Sequence, residues 1–348
     1  MDLEKRLDYV LRNVEEVVTE KELRKVLEER SEPSAYIGIE PSGLMHIGQG
    51  MLTSSKIRDM QEAGFTVKIL LADWHAYIND KLNGDIDAIK VCGRYIQDCF
   101  LAMGVDEERT EFIFASDMMD NMDYWERMLR VAKANSVARI RRAVDIMGRE
   151  MDETDADSSK LIYPSLQATD IFELDVDVAY AGMDQRRAHM LARDTADKLG
   201  WRKPVAIHTP ILTGLKGGER MDSAVTGKMS KSDPDSCIFI HDSPKDIKKK
   251  ISRAYCPPTL DENPIMDICQ YIIFPKISEL NIARDEKYGG PLHYKTLDEL
   301  QNDYNQGNLH PADLKNGVAI HLTDILEPVR DYFKNKPKNL DELKKILE

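Results

Sequence analysis

Ala35-Tyr36-Ile37-Gly38-Ile39-Glu40-Pro41-Ser42-Gly43-Leu44-Met45-His46-Ile47-Gly48-Gln49 is the stretch on which the fold turns. Residues 35–40 are a short β-type run, and Pro41-Ser42-Gly43 closes it as a turn. A helix follows from about 47 to 63, with Gly64 placed to stop it. A strand, a glycine-containing turn and a helix in that order form the junction where a parallel sheet offers backbone N–H groups and a helix N-terminus to phosphate. Outward from it the alternation continues. Residues 66–72 read as a buried strand, 85–103 as a helix capped by Asp85, and 111–115 as strand. Residues 121–150 read as largely helical, 152–159 as an acidic loop, 161–174 as helix, 176–181 as strand, 184–199 as helix ended by Gly200, and 204–208 as strand. Alternating strands and helices over 35–210 predict an α/β fold with a doubly wound parallel sheet.

Residues 1–30 read as helix, with a capping box at Thr19 and Glu22. After residue 232 the texture changes. Ser243-Pro244 starts a helix reaching 255, and 263–273, 296–305, 311–333 and 339–347 read as further helices. A domain boundary is expected near 235–242. The 348 residues suffice for two domains. The first residues lack a signal-peptide order, and no apolar run approaches the roughly 20 residues that span a bilayer. Five cysteines, an odd number with no Cys-x-x-Cys pair, argue against a disulfide framework or a cysteine zinc site and for a reduced cytoplasm. The net charge of −13 argues against broad nucleic-acid binding. The charge is uneven, however: Arg127, Arg130, Lys133, Arg139, Arg141, Arg142 and Arg149 face only Glu126 and Asp145, a local basic face on an acidic body.

A second stretch bears on function. Gly227-Lys228-Met229-Ser230-Lys231-Ser232 lies in a glycine-rich loop with Gly214, Gly217 and Gly218. Alone, such a loop is ordinarily a solvated surface; lysines and hydroxyls also suit polyphosphate. Tyr163, Gln167 and Asp170 stand at i, i+4 and i+7 and so share one helix face, with Leu166, Ile171 and Phe172 beside them. That face is either a solvent-facing stripe or the polar lining of a small-ligand pocket.

His46-Ile47-Gly48 paired with Lys228-Met229-Ser230-Lys231-Ser232 resembles the HIGH and KMSKS signatures of class I aminoacyl-tRNA synthetases; Gln49 stands where the first signature ends in histidine. Residues 35–43, Leu71-Ala72-Asp73, Tyr163-Pro164-x-x-Gln167-x-x-Asp170 and Gly182-Met183-Asp184-Gln185-Arg186 extend the resemblance to the tyrosyl-tRNA synthetases of archaeal and eukaryotic type. It implies N-terminal helices over 1–34, a Rossmann-type catalytic domain over 35–235 with an inserted helical segment at about 116–158, and a helical anticodon-binding domain over 236–348.

The resemblance further implies an activity: joining L-tyrosine to tRNA(Tyr) through tyrosyl-adenylate. Asp170 and Tyr36 would hold the phenol, and Tyr163, Gln167 and Gln185 the ammonium. ATP would meet Gly38, Glu40, His46, Gly48, Gln49, Gly182, Asp184, Lys228, Met229, Ser230, Lys231 and Ser232. His46, Lys228 and Lys231 would stabilise the transferring phosphates, Mg²⁺ would arrive with ATP, and no protein metal site is expected. The loop 217–232 would close on ATP. Asp73 and His75 lie at a strand end facing the same cleft, where His75 reads equally as a structural or a binding residue. Arg142, Arg186 and Arg187 match positions that read the first acceptor pair. Tyr288, in Lys287-Tyr288-Gly289-Gly290, would stack on the first anticodon base, and Asp313, in His310-Pro311-Ala312-Asp313, would accept hydrogen bonds from it. A homodimer with its interface around 110–150 is implied as well. A tryptophanyl-tRNA synthetase, a non-translational adenylyltransferase of the same superfamily and an inactive RNA-binding paralogue stay open as alternatives.

Overall fold

A computed structural model describes residues 1–147, 157–217, 227–231 and 233–348. It divides into two compact units. The first comprises Met1–Gly43, Ser54–Pro210 and Lys338–Glu348; the second comprises Leu44–Thr53 and Ile211–Pro337.

The first unit is built on a six-stranded sheet: β1 (Glu16–Val18), β2 (Ser34–Ile39), β3 (Thr66–Leu71), β4 (Thr110–Phe114), β5 (Val178–Gly182) and β6 (Val205–Thr209). The order across it is β1-β6-β5-β2-β3-β4. Every pairing is parallel except β1 with β6. The near-continuous apolar runs of β3, β5 and β6 are what strands covered on both faces require, and all of β6 is buried. Local capping sets the helix ends. Asp85 accepts from the amides of Asp87 and Ala88, Thr19 and Glu22 form a full capping box, and Gly200 ends its helix at φ +67.

The structure departs from the sequence reading in several places. The region read as one N-terminal helix is two, Leu3–Leu11 and Glu20–Glu29, with β1 between them. Val17 and Val18 are strand formers, and their partners Ile207 and Ala206 are too distant in sequence for local pattern to reveal. Helix Asp73–Ile78 directly follows β3. The basic segment breaks after Ala134, where Asn135 turns its side chain to Val131 O and Thr195, and Ser136 caps a new short helix. The last helix, Lys338–Leu347, belongs to the first unit, where Asn339 donates to Asp98 at 2.7 Å.

In the second unit, Ser243 caps helix Pro244–Arg253. Helix Pro264–Ile268 runs into a π turn, Cys269–Ile273. A small antiparallel pair that the sequence reading did not include, β7 (Leu280–Ile282) with β8 (Leu292–Tyr294), follows. Helix Pro311–Ile325 lies so close to β7 that a Cβ on Gly317 would stand 2.8 Å from Ile282. The expected helix over 311–333 is two, because Pro328 has no N–H to continue the first beyond Leu326; the second is Glu327–Asn335. Ile247, Ile251, Ile265, Ile272, Leu314 and Val318 fill the core.

Candidate functional site

The sheet order reverses between β2 and β5, so the crevice at their carboxyl ends is a topological switch point. Helix Tyr163–Glu173 borders it, and every residue from Tyr163 to Phe172 is buried. The solvent-facing account of its polar stripe therefore fails. Asp170 has no exposed surface, and a buried carboxylate requires partners. Tyr124 Oη donates to its Oδ1 at 2.7 Å, and His75 Nε2 stands 3.0 Å from Oδ2 without the alignment of a hydrogen bond. Oδ2 thus retains acceptor capacity for a donor arriving from the crevice.

Tyr36, on β2, is buried beside this group. Burial, and then the charge of Asp170, raise its phenol well above the ordinary value, so it stays a proton donor. Gly38 makes room for it: a Cβ there would lie 2.6 Å from Tyr36 Oη. For His75, burial pulls the imidazole down, but Asp170, Glu40 and Asp73 together leave it raised. Its ring meets Tyr163 edge-on at 5.0 Å. Asp73 instead spends Oδ1 on the amides of Trp74 and Ser116, which is a structural task.

Toward the rim, Tyr163 Oη donates to Glu40 at 2.5 Å, and Asn79 Nδ2 bonds both oxygens of Glu40 at 3.1 Å. Gln167 Nε2 donates to Gln185 Oε1 at 3.1 Å, and Gln185 Nε2 to Ile146 O at 3.0 Å. The buried Gln167 Oε1 has no hydrogen-bond partner among the described residues. Gly182 ends β5, and Asp184 lies in the 3₁₀ turn Met183–Gln185 that follows. Tyr36, Tyr163, Gln167, Asp170 and Gln185 are therefore gathered in one unit, with Glu40 and Gly38 beside them.

His46, Gly48, Gln49, Lys228, Met229, Ser230 and Lys231 are gathered in the other. His46 bridges Phe239, and Ile47 N donates to Ile238 O at 2.8 Å. Lys228 bridges Thr213. A Cβ on Gly48 would stand 3.2 Å from His46 Nδ1 and 3.3 Å from Met229 Sδ, so the two signatures touch there. Burial and the charges of Lys231 and Lys228 lower His46 to about 3, which keeps it neutral at physiological pH. The amide of Gln49 donates to His46 Nδ1 at 3.3 Å, which places the ring proton on Nε2. The fourth motif position thus serves His46 through its backbone, and the exchange of histidine for glutamine leaves that bond intact. Ser230 N donates to Ser236 Oγ at 3.2 Å. Ser232 and residues 218–226 of the expected closing loop lie outside the described residues.

Arg142 and Arg187 are exposed in the first unit, and Arg187 binds Arg142 O and Asp145. Arg186 pairs with Glu16. In the second unit Tyr288 is 64% exposed with Lys287 over its ring, and Asp313 lies in the first turn of helix Pro311–Ile325. Arg284 bonds Gly290 O and Asn308 O, tying together the stretches that lead to these residues.

Tyr124 and Arg284 are the side chains that sequence reasoning passed over. Tyr124 shares a buried face with Met128 and Val131, a spacing that reads as packing alone. Among the described residues no helix is long and apolar enough to cross a membrane, and no group of three or more His, Cys, Asp or Glu is arranged to hold a metal ion.

The sequence matches the family tRNA synthetases class I (W and Y) over residues 28–327. A tyrosine–tRNA ligase of Saccharolobus islandicus (strain M.14.25 / Kamchatka #1) is 46% identical, covering 99% of this chain and 98% of its own. That of Saccharolobus solfataricus is 47% identical, at 99% and 97%. Tyrosyl-tRNA synthetase from Pyrococcus horikoshii, solved with L-tyrosine, superposes with a TM-score of 0.92 at 40% identity, covering 99% of this chain and 100% of that one. The Aeropyrum pernix enzyme superposes at 0.89 with 43% identity, covering 99% of each.

Proposed function

The chain belongs to the class I tRNA synthetases of the tryptophan and tyrosine family, and on that premise we propose how its residues carry out tyrosine–tRNA ligation. A tyrosine carboxylate oxygen attacks the α-phosphorus of ATP, the bond to the bridging oxygen breaks, and pyrophosphate leaves. A ribose hydroxyl of the terminal adenosine of tRNA(Tyr) then attacks the mixed anhydride and AMP leaves. Neither step needs a nucleophile from the protein; positioning and charge stabilisation suffice.

The observation that carries tyrosine as the substrate is the fully buried Asp170, with one oxygen held by Tyr124 and the other open to a donor. A phenol supplies that donor, and Tyr36 supplies a second partner to its oxygen. Phenylalanine leaves Oδ2 of a buried carboxylate without the phenol's hydrogen bond, at a cost of about 1–3 kcal/mol. Tyr163, Gln167 and Gln185 receive the ammonium, the unpaired Gln167 Oε1 being the natural acceptor. Gly38, Glu40, Gly182 and Asp184 line the nucleotide site. His46 donates through Nε2 to the polyphosphate, and Lys228 and Lys231 neutralise charge as pyrophosphate departs, with Gly48, Gln49, Met229, Ser230 and Ser232 beside them. Mg²⁺ enters on the polyphosphate of ATP, where it neutralises phosphate charge.

Arg142, Arg186 and Arg187 read the first acceptor pair, and Tyr288 and Asp313 the first anticodon base, the latter within a helical anticodon-binding region. The protein acts as a homodimer; exposed Met122, Leu129 and Val137, at 77%, 65% and 65%, supply apolar surface for the interface. Its five free cysteines suit a reducing cytoplasm. ATP–pyrophosphate exchange with each amino acid tests the assignment: tyrosine alone should drive it, and exchange driven by tryptophan would overturn the reading.

A further inference from the structure

Glu16 and Arg186 come from distant parts of the first unit. Glu16 lies on β1, the outermost strand, opposite His208 on β6. Arg186 opens helix Arg186–Leu199, one residue after Gln185. The carboxylate takes the side edge of the guanidinium: Nε donates to Oε2 at 2.7 Å and one Nη2 hydrogen to Oε1 at 2.8 Å. Nη1 forms no bond with Glu16, so the end-on fork of Nη1 and Nη2 faces elsewhere. The Arg186 side chain is 42% exposed.

Glu16 is itself held from behind. His208 Nδ1 stands 2.9 Å from Oε2, and His208 Nε2 stands 3.0 Å from His189 Nδ1 in a buried stacked pair. With both rings neutral, each Nδ1 carries its proton: His208 donates to Glu16 and His189 donates to His208. Burial keeps His189 neutral. The carboxylate is thus fixed in two directions, unlike an ordinary surface ion pair whose side chains wander.

We infer that Glu16 is a positioning residue for the acceptor-stem contact of Arg186, occupying the side edge of the guanidinium so that the end-on fork is presented to a guanine edge. The inference rests on the proposed role of Arg186 and adds what orients it. Arginine recognises guanine O6 and N7 with two parallel N–H bonds, so the plane of the guanidinium has to be set. A side chain already pinned along one edge gives up less conformational freedom on binding.

The test compares Glu16→Ala, Glu16→Gln and Arg186→Ala by aminoacylation of tRNA(Tyr) with its native first acceptor pair and with that pair replaced, alongside tRNA-independent ATP–pyrophosphate exchange. Glu16→Ala is expected to lower kcat/KM for charging about tenfold or more and to narrow the preference for the native pair. Glu16→Gln, which keeps one acceptor oxygen, should fall between it and the parent. Exchange by both Glu16 variants should stay within about twofold. A parallel fall in exchange makes Glu16 merely structural and overturns the inference. Unchanged or improved charging by Glu16→Ala, while Arg186→Ala is impaired, overturns it with the Arg186 reading intact. Unchanged charging of both tRNAs by Arg186→Ala removes that reading, and the inference with it.

Discussion

Replacing Asp170 by asparagine changes one charge and almost no volume, which makes it the sharpest probe of the amino-acid pocket. Asp170 is fully buried, Tyr124 occupies Oδ1 at 2.7 Å, and Oδ2 has no aligned donor. A tyrosine hydroxyl donating to Oδ2 forms a charge-assisted bond worth about 1.5–3 kcal/mol, against about 0.5–1.5 for the neutral amide, whose oxygen keeps Tyr124 and whose NH2 then donates to the phenol oxygen. The difference of about 1–1.5 kcal/mol corresponds to about a five- to twelvefold rise in KM for tyrosine. Phenylalanine moves the other way, because the parent must leave Oδ2 of a buried carboxylate without the phenol's hydrogen bond when it binds and the variant only a neutral amide. The ratio of kcat/KM for tyrosine over phenylalanine should therefore fall at least about tenfold. ATP–pyrophosphate exchange with both amino acids reads it, with the thermal midpoint as an independent check of folding. An unchanged ratio in a well-folded variant refutes the placement of the phenol at Asp170.

Gly38→Ala should raise KM for tyrosine about tenfold or more, because a Cβ would sit 2.6 Å from Tyr36 Oη and the ring must move; overpacking of this kind costs about 1–3 kcal/mol. A variant with the parent's KM would show that Tyr36 does not hold substrate. Asp313→Ala should leave pyrophosphate exchange intact while weakening tRNA charging, and equal loss in both assays would misplace the anticodon contact. Stability should also fall on acidification. His189 is held near 3 by burial and the neighbouring His208, so below its ordinary value of about 6.5 the unfolded chain binds a proton that the folded one refuses. The stabilising contribution is therefore complete above about pH 6.5 and is lost toward pH 3 by up to about 1.4 kcal/mol per unit. His46, also near 3, acts in the same direction. Urea midpoints at pH 7 and 5.5 measure the loss, and His189→Gln should diminish it.

Residues whose behaviour is set locally were legible in the sequence. Thr19 with Glu22, Asp85 and Gly200 act on backbone groups a few positions away, and the caps stand where the pattern put them. The sheet was legible because strands covered on both faces are apolar in unbroken runs. What escaped depends on partners far along the chain. β1 exists because β6 is there to pair with it, and Val14 to Val18 carries no sign of that. Tyr124 is a core tyrosine to any local reading; its hydroxyl acquires meaning only when Asp170, 46 positions away, is buried beside it. His75 was ambiguous for the same reason, and Arg284 is identified only by the carbonyls it joins.

The last helix of the chain belongs to the same compact unit as the first. Everything from Ile211 to Pro337 is therefore an excursion with both ends tethered. When the excursion is unfolded, docking Lys338–Leu347 must close a loop on the order of 100 residues, which carries an entropic cost of about 4 kcal/mol. When it is folded, the chain ends it offers are already at a fixed separation. Each unit thereby makes the other easier to complete, a cooperativity that resides in the connectivity of the polypeptide and requires no side chain of one to touch the other.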